Sequence, residues 1–182
     1  MKLIFERGSF SNYRITDLQL NEARSETRSF SEGGRVSYRT TIFLSHKHSD
    51  LDDLKDIIGF LRRFNVDVYI DSMDKAMPKK TSGETAQRIK NIIRKCDRFI
   101  LLATDAAIES KWCNWELGYG DAFRYRDNIA IMPIPEKRNS IFSGNEYLQI
   151  YPIIKTEYNY SLGSYFVEYN GEKIKLENWL RQ

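Results

Sequence analysis

The sequence predicts a doubly wound α/β sandwich, with a mostly parallel five-stranded sheet and a small hairpin-and-helix appendage at its C-terminal end. Three observations predict it. From residue 40 onward, short β-branched or aromatic runs alternate with longer stretches at helical spacing, the pattern of parallel strands joined by crossover helices. One run, "RFILLAT", is apolar at almost every position, as a central strand covered on both faces must be. Beyond Pro135 the pattern changes: six of the eleven tyrosines lie there, and "FVEYNGEKIKL" sets Asn-Gly between two alternating runs, the strongest short-range hairpin signal.

Residues 1–38 are polar and rich in Ser, Arg and Glu, so they are expected as an N-terminal extension outside the core. The first strand is expected at 40–45. In "SDLDDLKDIIGFLRRF", Leu51, Leu54, Ile58 and Leu61 recur at helical spacing, with Ser49 or Asp50 as N-cap. A second strand at 66–71 carries Asp67 in mid-strand, which suits a position near a sheet edge. In the next helix Thr81 and Glu84 have capping-box spacing, and Ile89, Ile92, Ile93 and Cys96 form the buried stripe. Strands at 98–104, 128–134 and 147–154 complete the sheet. A core unit over 39–135 is expected, with 136–182 as a strand, hairpin and short "ENWL" helix packed on it, since that segment is too short to bury a core alone.

At 182 residues, 41% hydrophobic and 13% aromatic, the chain suits one folded domain. No apolar run approaches the roughly 18 residues of a membrane span. Glu6 and Arg7 interrupt the place where a secretory signal needs its apolar segment, so a cytoplasmic protein without a membrane partner is expected. Cys96 and Cys113 belong to no CxxC pair and read as reduced, buried thiols. The net charge of +3 comes from 28 basic and 25 acidic side chains spread without a Lys/Arg block, so no nucleic-acid partner is expected.

In such a fold, ligands bind beyond the carboxyl ends of the strands. That singles out Ser45 and His46 after the first strand, Asp71 after the second and Thr104 after the third. No GxGxxG or GxxxxGK[ST] loop is present to cradle phosphate. The connection "SMDKAMPKKTSG" is long for a βα loop and reads as a lid or contact surface, in which Lys75, Lys79 and Lys80 can meet a diphosphate or stay solvated, and Met73 and Met77 can meet another subunit. His46 and His48 have no third ligand at recognisable spacing, so no metal site is expected.

"SKWCNWELGYG" has two readings. Ile108, Trp112, Trp115, Tyr119 and Phe123 follow a helical stripe, which would make both tryptophans core and Glu116 a solvated edge residue. Alternatively, Trp112 and Glu116, four apart, project from one helix face, and an aromatic plate beside a partly desolvated acid suits a flat ring next to a developing positive charge.

These residues resemble the TIR domain family. "TIFLSHKHSDLDDL" resembles its first box, "VDVYIDSMDKAMPKKTSGETAQRIKNII" is similar to its second strand, BB loop and following helix, and "CDRFILLATDAAIESKWCNWEL" resembles its third strand with the S-x-WC-x-x-EL segment of enzymatic members. The resemblance covers about 40–135 and is nearest to stand-alone prokaryotic proteins, including those of Thoeris-type antiphage systems. It implies a flavodoxin-like fold and cleavage of NAD+, as substrate and with no cofactor, at the nicotinamide–ribose bond. Glu116 matches the family's catalytic glutamate, and Trp112 the first position of its WxxxE pattern. Ser45, His46 and Asp71 are carried over as substrate-site residues. After Ser45 this chain departs from several relatives, having His46, Lys47 and His48 where they carry aromatic and arginine residues. Water attack on the ribose gives ADP-ribose, whereas attack by an atom of the same molecule gives a cyclic isomer. The resemblance further implies self-association through the BB loop and a separate sensor or effector protein. Two rivals stand beside it: a non-enzymatic interaction module, for which Pro78 matters and Glu116 does not, and a nucleoside deoxyribosyltransferase-like enzyme.

Overall fold

The computed structural model describes residues 2–3, 5–33, 38–73, 82–123, 126–135, 146–157 and 164–182. A two-residue strand β1 (Lys2–Leu3) and helix α1 (Asp17–Ser31) precede the alternating units. These are β2 (Thr41–Ser45), α2 (Leu51–Arg62), β3 (Asp67–Tyr69), α3 (Gly83–Lys95), β4 (Arg98–Ala103), the single turn α4 (Asp105–Ile108), α5 (Lys111–Phe123) and β5 (Ile129–Pro133). The chain closes with β6 (Ile153–Glu157), β7 (Ser164–Tyr169), β8 (Glu172–Lys175) and α6 (Leu176–Arg181).

The main sheet runs β3-β2-β4-β5-β6-β7-β8, with β1 paired to β6. The pairs from β3 to β6 are parallel, which gives the five-stranded parallel sheet expected, with β4 central and β3 at the edge. The sheet is larger than expected because β7 and β8 continue it with antiparallel pairs. Asn170 and Gly171 turn that hairpin with positive φ of 49° and 85°, a conformation that Asn-Gly tolerates and most residues do not. The fifth parallel strand lies later than expected. Residues 146–150 form a 3-10 helix, and only after Pro152, which has no amide to donate to a ladder, does the chain extend into β6.

Alternation along each strand sorts side chains between two cores. Ile42, Leu44, Ile100, Leu102, Ala130 and Met132 meet α2 and α6 on one face. Phe43, Phe99, Leu101, Ile129 and Ile131 meet α3 and α5 on the other. Leu54, Ile58 and Leu61 are buried as the spacing predicts, as are Ile89, Ile92, Ile93 and Cys96. The caps differ. Asp50 precedes α2 without capping it, and α3 is capped one residue later than expected, by Ser82 with Thr85 as the reciprocal partner. Leu51, Met73 and the lysines of the 74–81 loop lie outside the described side chains.

The N-terminal segment is core, not lead-in. Phe5, Phe10, Ile15, Leu20 and Ala23 are buried, and the Phe10 ring lies 4.5 Å from that of Phe60 in a tilted contact. Gly59 makes room for this segment: a Cβ there would lie 1.9 Å from the Tyr13 carbonyl oxygen. Thr16 and Gln19 form a capping box that starts α1. This helix crosses the β3 edge: Leu20 and Ala23 join the α2-side core, Phe30 packs on the other, and between them the buried Thr27 hydroxyl reaches the Val68 carbonyl at 3.5 Å. Among the described residues, no helix is long and apolar enough to cross a membrane.

Candidate active site

Ser45 ends β2 in the same parity as Phe43, so its side chain faces α5 at the carboxyl end of the sheet. Directly opposite, α5 turns its stripe of Cys113, Glu116, Leu117 and Gly120 inward. The result is a 2.6 Å hydrogen bond from the Ser45 hydroxyl to Glu116 Oε2. Glu116 is 2% exposed, and its other oxygen, Oε1, has no hydrogen-bond partner. A buried carboxyl oxygen left in this state is costly in a folded protein and marks a place where a ligand can complete the bonding.

Burial pushes the Glu116 carboxyl well above the ordinary carboxylate range, and the negative charge of Asp71 pushes it in the same direction. The Ser45 hydroxyl opposes both by favouring the anion. Asp71 itself is anchored just past β3: the Ser72 backbone amide donates to its Oδ1 at 2.8 Å, and His46 Nδ1 lies 3.7 Å from the same oxygen. His46 Nδ1 is also 3.1 Å from the Leu44 carbonyl, which can only accept, while Nε2 is 2.9 Å from the Ser72 hydroxyl. Thus Ser45, His46, Asp71 and Glu116 come together at the mouth between β2, β3 and α5.

The tryptophans form a row of their own along the same helix. Trp112 heads a row along α5 in which it stacks on Trp115 at 5.0 Å, Trp115 on Tyr119 at 6.0 Å, and Tyr119 contacts Phe123 at 5.0 Å. Lys90 and Arg94 of α3 cover these rings, Lys90 over Tyr119 at 5.1 Å and Arg94 over Phe123 at 4.1 Å. The row is half-buried and ends with Phe123 51% exposed. Of the two readings of this stretch, the buried aromatic stripe with Glu116 at its solvated edge is overturned, and the desolvated acid of the other is found. The smaller stripe lets α5 approach the sheet closely, and the bulky one packs sideways against α3.

Two further groups frame the site. Cys113, one turn before Glu116 on the same face, is buried, and burial pushes its thiol up to about 11 against the opposing Ser110 and Ser45 hydroxyls. On the other sheet face, the Thr104 hydroxyl donates to buried Asp50 at 2.7 Å while accepting the Ala107 amide at 3.0 Å, so one side chain both ties β4 to α2 and starts α4. Ser72 and Cys113 escape a reading based on strand ends and aromatic spacing. The signal that finds Cys113 is its i, i+3 relation to Glu116. A groove of about 490 Å3 between α1 and β3, lined by Phe30, Arg39 and Asp67 among others, lies at the opposite, amino end of the strands. The acids of that groove, Glu26 and Asp67, are partly exposed, whereas Glu116 is buried. Among the described residues, no cluster of three or more His, Cys, Asp or Glu is arranged to hold a metal ion.

A family model for the TIR domain matches residues 42–151, more than half of the chain, spanning β2 to the residues just before β6. No curated protein matches the chain significantly.

Proposed function

The chain belongs to the TIR domain family, and we propose that it cleaves NAD+ at the bond between nicotinamide and ribose, with Glu116 as the catalytic residue. The observation that carries this reading is the buried Glu116 carboxyl at the carboxyl end of the sheet, held at Oε2 by Ser45 and unpartnered at Oε1.

The chemistry needs little more than one well-placed acid. The electron pair of the C1′–N1 bond passes to the pyridinium nitrogen, so nicotinamide leaves neutral and needs no proton. Positive charge then develops on the ribose C1′ and O4′, as in glycoside cleavage. A carboxylate in a site from which water is excluded stabilises that charge far better than one in water. The unpartnered Oε1 is the atom available to face the ribose, while Ser45 fixes the other oxygen and thereby the carboxyl plane. Water attack at C1′ gives ADP-ribose and releases one proton; attack by an adenine or ribose atom of the same molecule gives a cyclic isomer. Trp112 and His46 belong to this reading as substrate contacts through the resemblance.

On the same reading, the activity serves antiphage signalling in the cytoplasm, with copies meeting through the 72–83 loop and a separate sensor or effector protein completing the system. The test is incubation of the concentrated protein with NAD+, beside Glu116→Ala and Glu116→Gln, with chromatography of the products. Nicotinamide release by the wild type alone is expected. Equal NAD+ loss in all three proteins removes Glu116 as catalyst, and silence in all three even when crowded on a surface favours an interaction module.

A further inference from the structure

With Glu116 as the centre of an NAD+-cleaving site, as proposed above, a second carboxylate needs a role. Asp71 lies at the mouth of the crevice with its side chain 24% exposed, so it is in contact with solvent while Glu116 is sealed beneath. The Ser72 amide holds its Oδ1, and among the described residues no hydrogen bond reaches its Oδ2. Of the described charges, that of Asp71 is the one acting on Glu116. Among the described residues, the other groups facing Glu116 are the Ser45 hydroxyl from β2 and the Cys113 thiol from its own helix, and His46 stands beside Asp71.

Asp71 beside His46 and Glu116 on Ser45 share one crevice, held by consecutive residues of the chain, and two such acids repel each other when both are ionised. A cation between them removes that repulsion, whereas a neutral ring leaves it in place. We propose that Asp71 is a specificity-determining residue, which makes the crevice select cationic N-glycosides, ribosylated pyridiniums, over neutral nucleosides and over reduced dinucleotides. The two carboxyls divide the work according to where positive charge sits. In the bound substrate the charge is on the pyridinium, within the field of Asp71 at the mouth. As the C1′–N1 bond breaks, the charge moves to the ribose, towards the buried Glu116. Asp71 therefore acts on ground-state binding and Glu116 on the transition state. Arrival of the cation also drives a proton from Glu116, because the anion gains a partner it lacked in the empty site.

The test uses the full chain with a carbocyclic, non-cleavable NAD+ and the reduced form of the same molecule, titrated calorimetrically in buffers of different ionisation enthalpy. The wild type is expected to prefer the oxidised form and to release protons on binding it. Asp71→Asn keeps the acceptor for the Ser72 amide and lacks the charge; it is expected to lose about tenfold in that preference and most of the proton release. Asp71→Glu, which restores the charge, is expected to recover the preference. Binding by Asp71→Asn with unchanged preference overturns the role of Asp71 and leaves the NAD+ reading standing. Failure of the wild type to bind either form overturns both.

Discussion

The Ser45 hydroxyl and the Glu116 carboxyl, 71 positions apart in the chain, meet in a 2.6 Å hydrogen bond inside the protein. That bond favours the carboxylate, so removing it leaves burial and Asp71 unopposed. Ser45→Ala is expected to move the acid limb of the pH profile for NAD+ cleavage to higher pH, with a rate loss near neutrality of about tenfold or more. Measured kcat/KM against pH decides the matter: an acid limb at the wild-type position rules out Ser45 as the group that positions Glu116.

Glu116 also makes stability fall with pH. Its folded-state carboxyl lies above the ordinary value of 4.5, so between those two points the folded protein holds more protons than the unfolded chain. Stability from this group is complete below the ordinary value and is lost as pH rises through the folded one. Glu116→Gln keeps the acceptor for Ser45 without a charge. It is expected to flatten that dependence and to gain about 1 kcal/mol at neutral pH, as when an active-site strain is relieved. Urea melts of both proteins from pH 4 to 9 will show whether the curves converge at the acid end.

Gly59→Ala tests the place of the N-terminal segment. A helix interior ordinarily gains about 1 kcal/mol from this change. Here the new methyl meets the Tyr13 carbonyl, a backbone atom that cannot swing aside, and a net loss of about 1–3 kcal/mol is expected. A rise in the thermal midpoint would show that residues 5–15 are detachable.

The C-terminal helix is equally built in. Trp179 is 2% exposed, donates its indole N–H to the Asp127 carbonyl at 2.7 Å and lies 5.1 Å from the Arg98 guanidinium, whose Nε donates to the Trp179 carbonyl at 3.0 Å. Trp179→Ala is expected to cost about 3–5 kcal/mol in chemical denaturation. Trp179→Phe, which retains the ring but not the donor, should fall between the two.

Neither cysteine is a reactive thiol. Both are buried, and Cys113 is far less ionised at neutral pH than an exposed thiol. An aromatic disulfide reagent at pH 7.5 is expected to leave the native protein unmodified and to titrate two thiols after unfolding. Rapid labelling of Cys113 in the folded state would mean that α5 lifts from the sheet.

The strands and their depth in the sheet were legible because burial on two faces leaves a continuous apolar run, as in "RFILLA", and because an edge tolerates the half-exposed Asp67. Ser45, His46 and Asp71 were legible as strand ends. The inward face of α5 was not. Large aromatic rings attract the assignment of a core stripe, yet a helix that presses Cys113, Glu116 and Gly120 against a sheet needs small or short side chains there. The N-terminal residues misled for a related reason: their apolar positions are few and spaced by polar ones, and only the surface of α2, with Gly59 cleared for Tyr13, shows what they cover. The 3-10 turn at 146–150 looks like strand in the sequence because "YLQIYPII" is equally apolar in either conformation, and Pro152 decides where the ladder can begin.

The helix that crosses the β3 edge has a consequence for how copies of this protein can join. A bare sheet edge is a template on which another chain can lay down one more strand, the route by which folded domains become open-ended polymers. Here α1 covers one margin, with Thr27 over the outward-facing Val68 carbonyl, and the other margin, β8, is a short exposed strand carrying Lys173 and Lys175. Growth by strand addition is discouraged at both ends. Any filament of this protein is thereby steered to helix and loop faces, where a subunit can attach and leave without surrendering a strand, and assembly stays reversible.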